Sequence, residues 1–251
     1  MADLIDGAAW QESWDRQQET YLADREVRFG VLLDAVHAVA GGSPAAVLDL
    51  AGGTGSISLR VLRRFPGART TLVDLDPVLL AIAGASLDER CTIVAADLRT
   101  PGWLEALPHR EFDAVLTATA LHWLDGPRLA ELYAEVRTIL RPGGLFVNVD
   151  HMPDDGLPGL SDRIRGRERA HRRSRLATGA LTSWAEWWER AGRDPALGQL
   201  VAERALRFGE TVSHEFAGPV SWHVDALRAA GYGEVGLIWR GGLDAAVTAV
   251  R

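Results

Sequence analysis

The stretch Val47–Gly55, with the sequence VLDLAGGTG, decides the fold of this chain. Its first half is a short apolar run, and glycines follow at Gly52, Gly53 and Gly55. Apolar residues then recur with helical spacing over residues 57–62. Glycines in such a turn let the backbone approach a ligand, and the helix after it offers free N–H groups. The stretch therefore predicts a βα unit whose turn faces a ligand crevice in an open α/β sheet.

Further strand candidates follow this unit and alternate with helical segments. Apolar, β-rich runs cover residues 70–74, 91–97, 112–117 and 144–150. Helical spacing covers residues 77–86 and about 126–140. Repeated βαβ units of this kind predict a mostly parallel sheet with helices on both faces.

The end of the chain has a different pattern. A helix is predicted over residues 223–230, and two strands over residues 235–239 and 245–250. The loop between these strands is short enough for an antiparallel hairpin. Together the patterns predict an α/β fold: a Rossmann-like, doubly wound, seven-stranded sheet, mostly parallel, with a C-terminal antiparallel hairpin and a helical lid insertion.

We expect residues 1–251 to form one domain, because no polar linker or internal repeat divides them. Residues 1–44 are a helical segment, with one helical pattern over residues 10–40, and residues 45–150 are the ligand-binding core. Residues 151–222 show no clear strand and predict a helical lid, and residues 223–251 close the sheet.

The composition excludes several kinds of chemistry. All 27 basic residues are arginines, so Schiff-base, P-loop and kinase-type lysine chemistry is excluded. The net charge of −7 disfavours nucleic acid as a partner. The single cysteine, Cys91, allows no disulfide and no cysteine-rich metal site, and no metal is expected. The sequence has no signal-peptide pattern and no apolar stretch near the ~20 residues that a membrane span needs. It therefore predicts a cytoplasmic protein with no membrane partner.

Acidic residues stand where three consecutive strands end. Asp49 precedes the glycine turn, Asp74 ends the second strand and Asp97 ends the third. A carboxylate can accept the hydroxyls of a ribose, and another can accept an exocyclic adenine amine. These positions predict a nucleoside-shaped pocket. A dinucleotide-binding dehydrogenase is disfavoured, because Ser58 stands where its fingerprint requires a third glycine.

The sequence resembles the class I S-adenosylmethionine-dependent methyltransferases across most of its length. Val47–Gly55 is similar to their first motif, in the variant common among quinone-biosynthesis C-methyltransferases. Leu72–Pro77 resembles the ribose motif and Ala95–Leu98 the adenine motif. Phe112–Trp123 resembles the fourth-strand segment, and Leu140–Leu145 the turn before the fifth strand.

The resemblance implies S-adenosylmethionine as the cofactor. Asp74 would then hold the ribose, Asp97 the adenine amine, and Leu98 would contact the base. Ala51 departs from the pattern, because the family often has glycine there; a small residue still allows close approach. The expected cofactor-binding residues are Asp49, Ala51, Gly52, Gly53, Gly55, Asp74, Leu75, Asp97, Leu98 and Thr117.

Histidines follow the fourth and fifth strands, where the acceptor of the methyl group would lie. Methyl transfer from a sulfonium is an in-line displacement, and a general base helps only when the acceptor must lose a proton. His122 and His151 are the candidate catalytic bases, since an unperturbed imidazole titrates at about 6.5. His214 and His223 could reach the site from the lid. A small-molecule acceptor and O-methylation are favoured, with nitrogen and carbon acceptors left open.

Two features outside the core keep two interpretations each. The arginine-rich stretch at residues 163–175 is either a solvated helix face or an anion site. Trp184, Trp187 and Trp188 either pack the lid on the core or form a substrate cage. The resemblance further implies that Tyr21, Arg25 and Arg28, on the N-terminal helix, close over the cofactor.

Two alternative functions stay open at this stage. One is a methyltransferase-fold protein that binds the cofactor without methyl transfer, as a cyclase or a partner subunit. The other is an RNA methyltransferase that uses the arginine-rich stretch. The oligomeric state, including a homodimer, also stays open.

Overall fold

A computed structural model describes residues 4–22, 24–179, 181–209 and 216–251. Within these residues the chain forms one seven-stranded sheet with the strand order β3-β2-β1-β4-β5-β7-β6. The first five strands are parallel, and β7 runs antiparallel to both β5 and β6. This arrangement confirms the predicted fold class. The strands are β1 (Ala46–Leu50), β2 (Arg69–Asp74), β3 (Cys91–Ala95), β4 (Phe112–Ala118), β5 (Leu140–His151), β6 (Glu234–Gly241) and β7 (Asp244–Val250).

Helices cover both faces of the sheet. Two short 3₁₀ turns, Pro101–Ala106 and Leu121–Trp123, flank β4. The α-helices are α1 (Gly7–Gln18), α2 (Arg25–Val39), α3 (Ser56–Arg64), α4 (Pro77–Ser86), α5 (Gly126–Ile139), α6 (Pro158–Ala177), α7 (Trp184–Arg193), α8 (Gly198–Phe208) and α9 (Val220–Ala229).

The core has two layers because strand residues alternate between the faces of the sheet. In β1, Leu48 and Leu50 lie in a cluster with α5 and α9, whereas Val47 lies in a cluster with α2 and α3. Both clusters are almost free of exposed surface. A third cluster joins α1 and α4 to the lid helix α7. The sheet is therefore covered on both sides, and its carboxyl edge is left for the site.

The prediction of one helical segment over residues 10–40 was wrong. The chain forms α1 and α2, and the break between them ends at Asp24, which has a φ of 62°. A residue in the left-handed region cannot continue a right-handed helix, so the chain changes direction there. The break is important for the site, because α1 packs on α4 whereas α2 packs on β5 and α3.

Other boundaries also differ from the predicted ones, most of all at the fifth strand and at the closing hairpin. The fifth strand begins at Leu140 rather than at residue 144 and pairs with Phe112 across a register irregularity. The closing hairpin has only two residues between its strands, Gly242 and Leu243. Gly242 has a φ of 60°, the conformation that tight hairpin turns require. Among the described residues, no helix is long and apolar enough to cross a membrane.

Candidate functional site

The glycine turn after β1 is held against the neighbouring strand. The Gly52 N–H donates to the Val73 carbonyl at 3.1 Å, and the Gly53 N–H donates to Asp74 Oδ2 at 2.8 Å. A Cβ on Gly52 would lie 2.7 Å from the carboxylate carbon of Asp49, and one on Gly55 would lie 2.7 Å from Leu87. These two glycines are therefore required by packing inside the protein itself.

Gly53 differs from the other two glycines, because it faces open space. A Cβ there would meet only the Leu79 side chain, at 3.5 Å. Gly53 and Gly55 have positive φ angles, of 56° and 82°. Ala51 shares this conformation with a φ of 52°, which explains why glycine is favoured at its position. The open side of the turn thus lies at Gly53.

Asp49 links the end of β1 to the first turn of α3 by hydrogen bonds. Its Oδ2 atom accepts from the Ser58 N–H at 2.9 Å and from the Ser58 hydroxyl at 2.8 Å. The side chain is fully buried, and Oδ1 has no hydrogen-bond partner among the described residues. Burial raises the pKa of Asp49 to about 6, against the opposing effect of the Ser58 hydrogen bonds. An unpartnered, buried carboxylate oxygen against Gly52 of the turn suits a cationic group of a ligand.

Asp74 lies at the end of β2 as predicted, but its carboxylate already accepts three hydrogen bonds from the backbone. It accepts from the backbone N–H groups of Gly53, Leu75 and Asp76 at 2.7 to 2.9 Å. Burial raises its pKa, against those hydrogen bonds. A carboxylate has about four acceptor positions, so one remains for a ribose hydroxyl.

The end of β3, where adenine is predicted to bind, is more open than the end of β2. Asp97 accepts twice from the guanidinium of Arg99, at 2.7 and 2.9 Å, and this hydrogen bonding lowers its pKa. An adenine amine would share the carboxylate with Arg99. Leu98 is buried, and its carbonyl accepts from Arg128 at 2.8 Å. Thr117 is the next-to-last residue of β4, is paired with Asn148 and is fully buried.

The two candidate catalytic histidines lie side by side, with ring centres 5.6 Å apart. His122 Nδ1 lies 2.7 Å from Asp150 Oδ1, and its backbone N–H donates to Asp150 Oδ2 at 3.2 Å. Burial alone would raise the pKa of Asp150, but the hydrogen bond and charge of His122 outweigh it and hold that pKa below its usual value. The carboxylate therefore fixes both the ring and the backbone of His122.

His151 has its own carboxylate partner. Its Nδ1 atom lies 2.5 Å from Oδ1 of Asp244, the first residue of β7. This hydrogen bond raises the pKa of His151 above its ordinary value, although burial opposes the shift. Asp244 Oδ2 accepts at 2.6 Å from Arg28 on α2. The side chain of His151 is 40% exposed, against 10% for His122, so His151 stands nearer the mouth of the site.

His223 is buried and contacts other side chains of the core. Its Nδ1 atom lies 2.7 Å from the Tyr133 hydroxyl, which also accepts from Asn148 at 3.2 Å. Burial lowers the pKa of His223 to about 4, so the ring is neutral near pH 7. His214 lies outside the described residues.

The N-terminal helices cover the glycine turn. Asp15 of α1 pairs with Arg25 of α2 and accepts from the Ser56 hydroxyl at 2.7 Å. Gln11 donates to the same hydroxyl at 2.9 Å. Ser56 begins α3, directly after the turn, so this network holds both N-terminal helices over it. Tyr21 lies farther out, with the guanidinium of Arg172 4.8 Å above its ring.

The structure distinguishes between the two interpretations of the aromatic and of the basic residues in the predicted lid. Trp187 is buried, packs edge-on against Trp10 and Trp14, and donates to the Ser13 hydroxyl at 3.0 Å. The tryptophans of α7 therefore pack the lid on α1. Helix α6 carries the arginine-rich stretch, and Ser161 is its only buried residue among those described. Its arginines form a largely solvated face.

Sequence reasoning missed the acidic partners of both histidines. Asp150 directly precedes His151, and its position at a strand end was a usable signal. Asp244 is opposite His151 in the β5–β7 register, so it could be found only with that register known.

Comparisons with known proteins find similarity to methyltransferases. Residues 47–144 match the family model described as a methyltransferase domain. The release factor glutamine methyltransferase of Gloeobacter violaceus is 28% identical over 211 residues, covering 82% of this chain and 66% of that protein. The ubiquinone/menaquinone biosynthesis C-methyltransferase of Methylobacterium nodulans is 34% identical over 126 residues, covering 48% of this chain and 47% of that protein.

A solved structure gives the same result for the fold. The apo crystal structure of the S-adenosylmethionine-dependent methyltransferase SibL aligns with a TM-score of 0.59 at 21% identity, covering 90% of this chain and 55% of that one. Residues 47–144 therefore match a methyltransferase domain, and the chain has the fold of SibL, which is an S-adenosylmethionine-dependent methyltransferase. The matched regions span about half to two thirds of the length of the two curated relatives.

Proposed function

We propose that this protein transfers the methyl group of S-adenosylmethionine to the oxygen of a small-molecule acceptor. The cofactor would be held at the carboxyl ends of β1, β2 and β3. The observation that carries the proposal is the pair of histidine–carboxylate contacts beside this crevice, His122 with Asp150 and His151 with Asp244. A hydroxyl acceptor must lose its proton, and an oriented imidazole is suited to remove it.

The cofactor residues each have a stated role. Asp49, with its unpartnered buried oxygen, would face the amino group at the methionine end, and Gly53 leaves space for close approach. Asp74 would accept one ribose hydroxyl, and Asp97 the adenine amine. The other expected cofactor-binding residues complete the set: Ala51, Gly52 and Gly55 in the turn, and Leu75, Leu98 and Thr117 at or after the neighbouring strands. When bound, the cofactor supplies a methyl group activated by its positive sulfur.

The two histidines have different roles in this proposal. Asp150 holds His122 Nδ1, so a neutral ring with its proton on Nδ1 presents Nε2 as the acceptor for the proton of the hydroxyl. The raised pKa of His151 keeps this residue protonated over a wider pH range, which suits a hydrogen-bond donor to the acceptor. Proximity and the exclusion of water supply the remaining acceleration.

Binding of the cofactor is the first test. Isothermal titration with S-adenosylmethionine and with its demethylated product is expected to show binding of both. Asp74→Ala is expected to weaken binding at least tenfold, because a ribose contact is lost. Asp88→Ala is the matched control, since Asp88 is an exposed aspartate paired with Arg90 at the surface. If the wild type binds neither compound, the proposal is wrong.

Transfer is tested with a panel of small hydroxyl, amine and carbon acceptors, by following formation of the demethylated cofactor. Asp150→Asn is expected to lower turnover about 10²-fold while cofactor affinity stays unchanged, because the orientation of His122 is lost. Methylation of only amines or carbons would refute the oxygen acceptor but leave methyl transfer standing.

A further inference from the structure

Arg28 is a buried cation whose hydrogen bonding is incomplete. It lies in the first turn of α2, and its side chain is 8% exposed. Nη2 donates to Asp244, whereas Nε and Nη1 are buried with no acceptor among the described residues. Burying donors of a charged group without partners is costly. An anionic ligand that accepts from Nε and Nη1 would explain why these two donors are free.

The carboxylate that Arg28 contacts is shared with another basic group. Asp244, the counter-ion of Arg28, is shared with His151, so one carboxylate serves two basic groups. Asp150, the other buried acid at this strand end, is engaged by His122. With His122 neutral, Asp150 and Asp244 balance the charges of Arg28 and protonated His151, so it is the two free donors of Arg28, and not an excess of charge, that call for an anion.

The surroundings of Arg28 suit an organic acid rather than a bare ion. The guanidinium lies 4.9 Å from the centre of the Trp239 ring, which provides an apolar wall on one side. Through Asp244, Arg28 is directly linked to His151, whose ring is 5.6 Å from that of His122. An acceptor with its acid group at Arg28 would therefore have its other end near the two histidines.

Arg25, one turn earlier on α2, serves the opposite side of the crevice. It pairs with Asp15 in the network over the glycine turn. Its charge also acts on Asp49, whereas that of Arg28 acts on His151 and Asp244. The two arginines of this helix thus face the cofactor side and the histidine side.

We propose that Arg28 binds a carboxylate of the acceptor, so that the substrate class is a small hydroxy acid. This inference rests on the proposed function and specifies its acceptor. Neither free donor touches solvent, so the carboxylate reaches them only when the residues over the site move apart. Arg28 then fixes one end of the acceptor while its hydroxyl lies at His122.

The test uses 4-fluorobenzoate and its neutral counterpart 4-fluorobenzamide, followed by ¹⁹F NMR on the full chain saturated with the demethylated cofactor. The benzoate is expected to bind at least tenfold more tightly than the benzamide. Arg28→Gln is expected to remove that preference while the cofactor product still binds. Arg64→Gln, at an exposed arginine paired with Asp34, is the matched control.

A second variant separates recognition from a structural role. Asp244→Asn removes the competing carboxylate and is expected to tighten benzoate binding at least threefold, the opposite sign to Arg28→Gln. A purely structural contact would weaken binding in both variants, and that result would overturn the proposal. If Arg28→Gln does not fold, Arg28→Lys keeps the charge but loses the free guanidinium donors, and it is expected to weaken benzoate binding.

Equal affinity for the two probes, or no binding of either, would also overturn the assignment of Arg28. Failure of the proposed function has a different signature, since the wild type would then not bind the cofactor product. In that case the titration is repeated on the free protein, where the preference for benzoate still tests Arg28.

Discussion

His151 Nδ1 lies 2.5 Å from Oδ1 of Asp244, although the two residues are 93 positions apart in the chain. The antiparallel pairing of β5 with β7 places them opposite each other at the carboxyl end of the sheet. This contact joins the hairpin that closes the fold to the predicted acceptor site, and it controls the protonation of His151.

Asp244→Asn is expected to lower the pKa of His151 toward its ordinary value, because the hydrogen bond that raises it loses its charge. In the wild type, the raised pKa adds stability that is fully present below about pH 6.5 and is lost as the pH rises through the folded-state pKa. The variant should lose this dependence. NMR titration of the imidazole and urea denaturation between pH 5 and pH 8 measure both effects. An unchanged titration of His151 would contradict the contact.

Asp49→Asn is expected to stabilise the free protein at pH 7 by about 1 to 3 kcal/mol, since each pKa unit corresponds to about 1.4 kcal/mol. The folded-state pKa of about 6 lies above the ordinary 3.8, so wild-type stability rises as the pH falls from 7 toward 4. The asparagine variant should not show this rise. Denaturation at pH 7 and pH 5 measures it. Cofactor affinity should fall at least tenfold, because the anion facing the amino group is lost.

Ala51→Gly is expected to leave the fold intact and raise the free energy of unfolding by about 0.5 to 1 kcal/mol. Ala51 has a φ of 52°, a conformation in which a Cβ is strained and glycine is not. Ala134→Gly, on the exposed face of α5, is the control and should lose about 1 kcal/mol. Thermal denaturation of both variants gives the comparison. A loss of stability in both would show that Ala51 is not strained.

Trp187→Ala is expected to destabilise the protein by about 3 to 5 kcal/mol, because it empties a buried contact between α7 and α1. Trp184→Ala should cost much less, since Trp184 is 39% exposed. Limited proteolysis should cleave the lid of the Trp187 variant first, and urea denaturation gives the magnitude. Equal effects of the two changes would contradict the docking of the lid through Trp187.

The order of elements and the cofactor turn could be predicted from the sequence because their signals are local. The alternation of strand and helix periodicity, and the glycine turn ending at Gly55, lie within short windows of the chain. Helix α4 has the predicted bounds, since Asp76 caps it and Pro77 begins it. The break between α1 and α2 could not be predicted in this way, because its apolar spacing continues across the left-handed residue Asp24.

The sequence alone determined the parallel core, the closing hairpin and the resemblance to a methyltransferase family, since periodicity, glycine positions and strand-end carboxylates carry that information. Only the tertiary structure decided which acids hold the histidines and where the buried arginine lies. Asp244 reaches His151 through strand register, and Arg28 reaches Asp244 through the packing of α2 on the sheet. Contacts between residues far apart in the chain depend on register and packing angles, which no short stretch of sequence encodes.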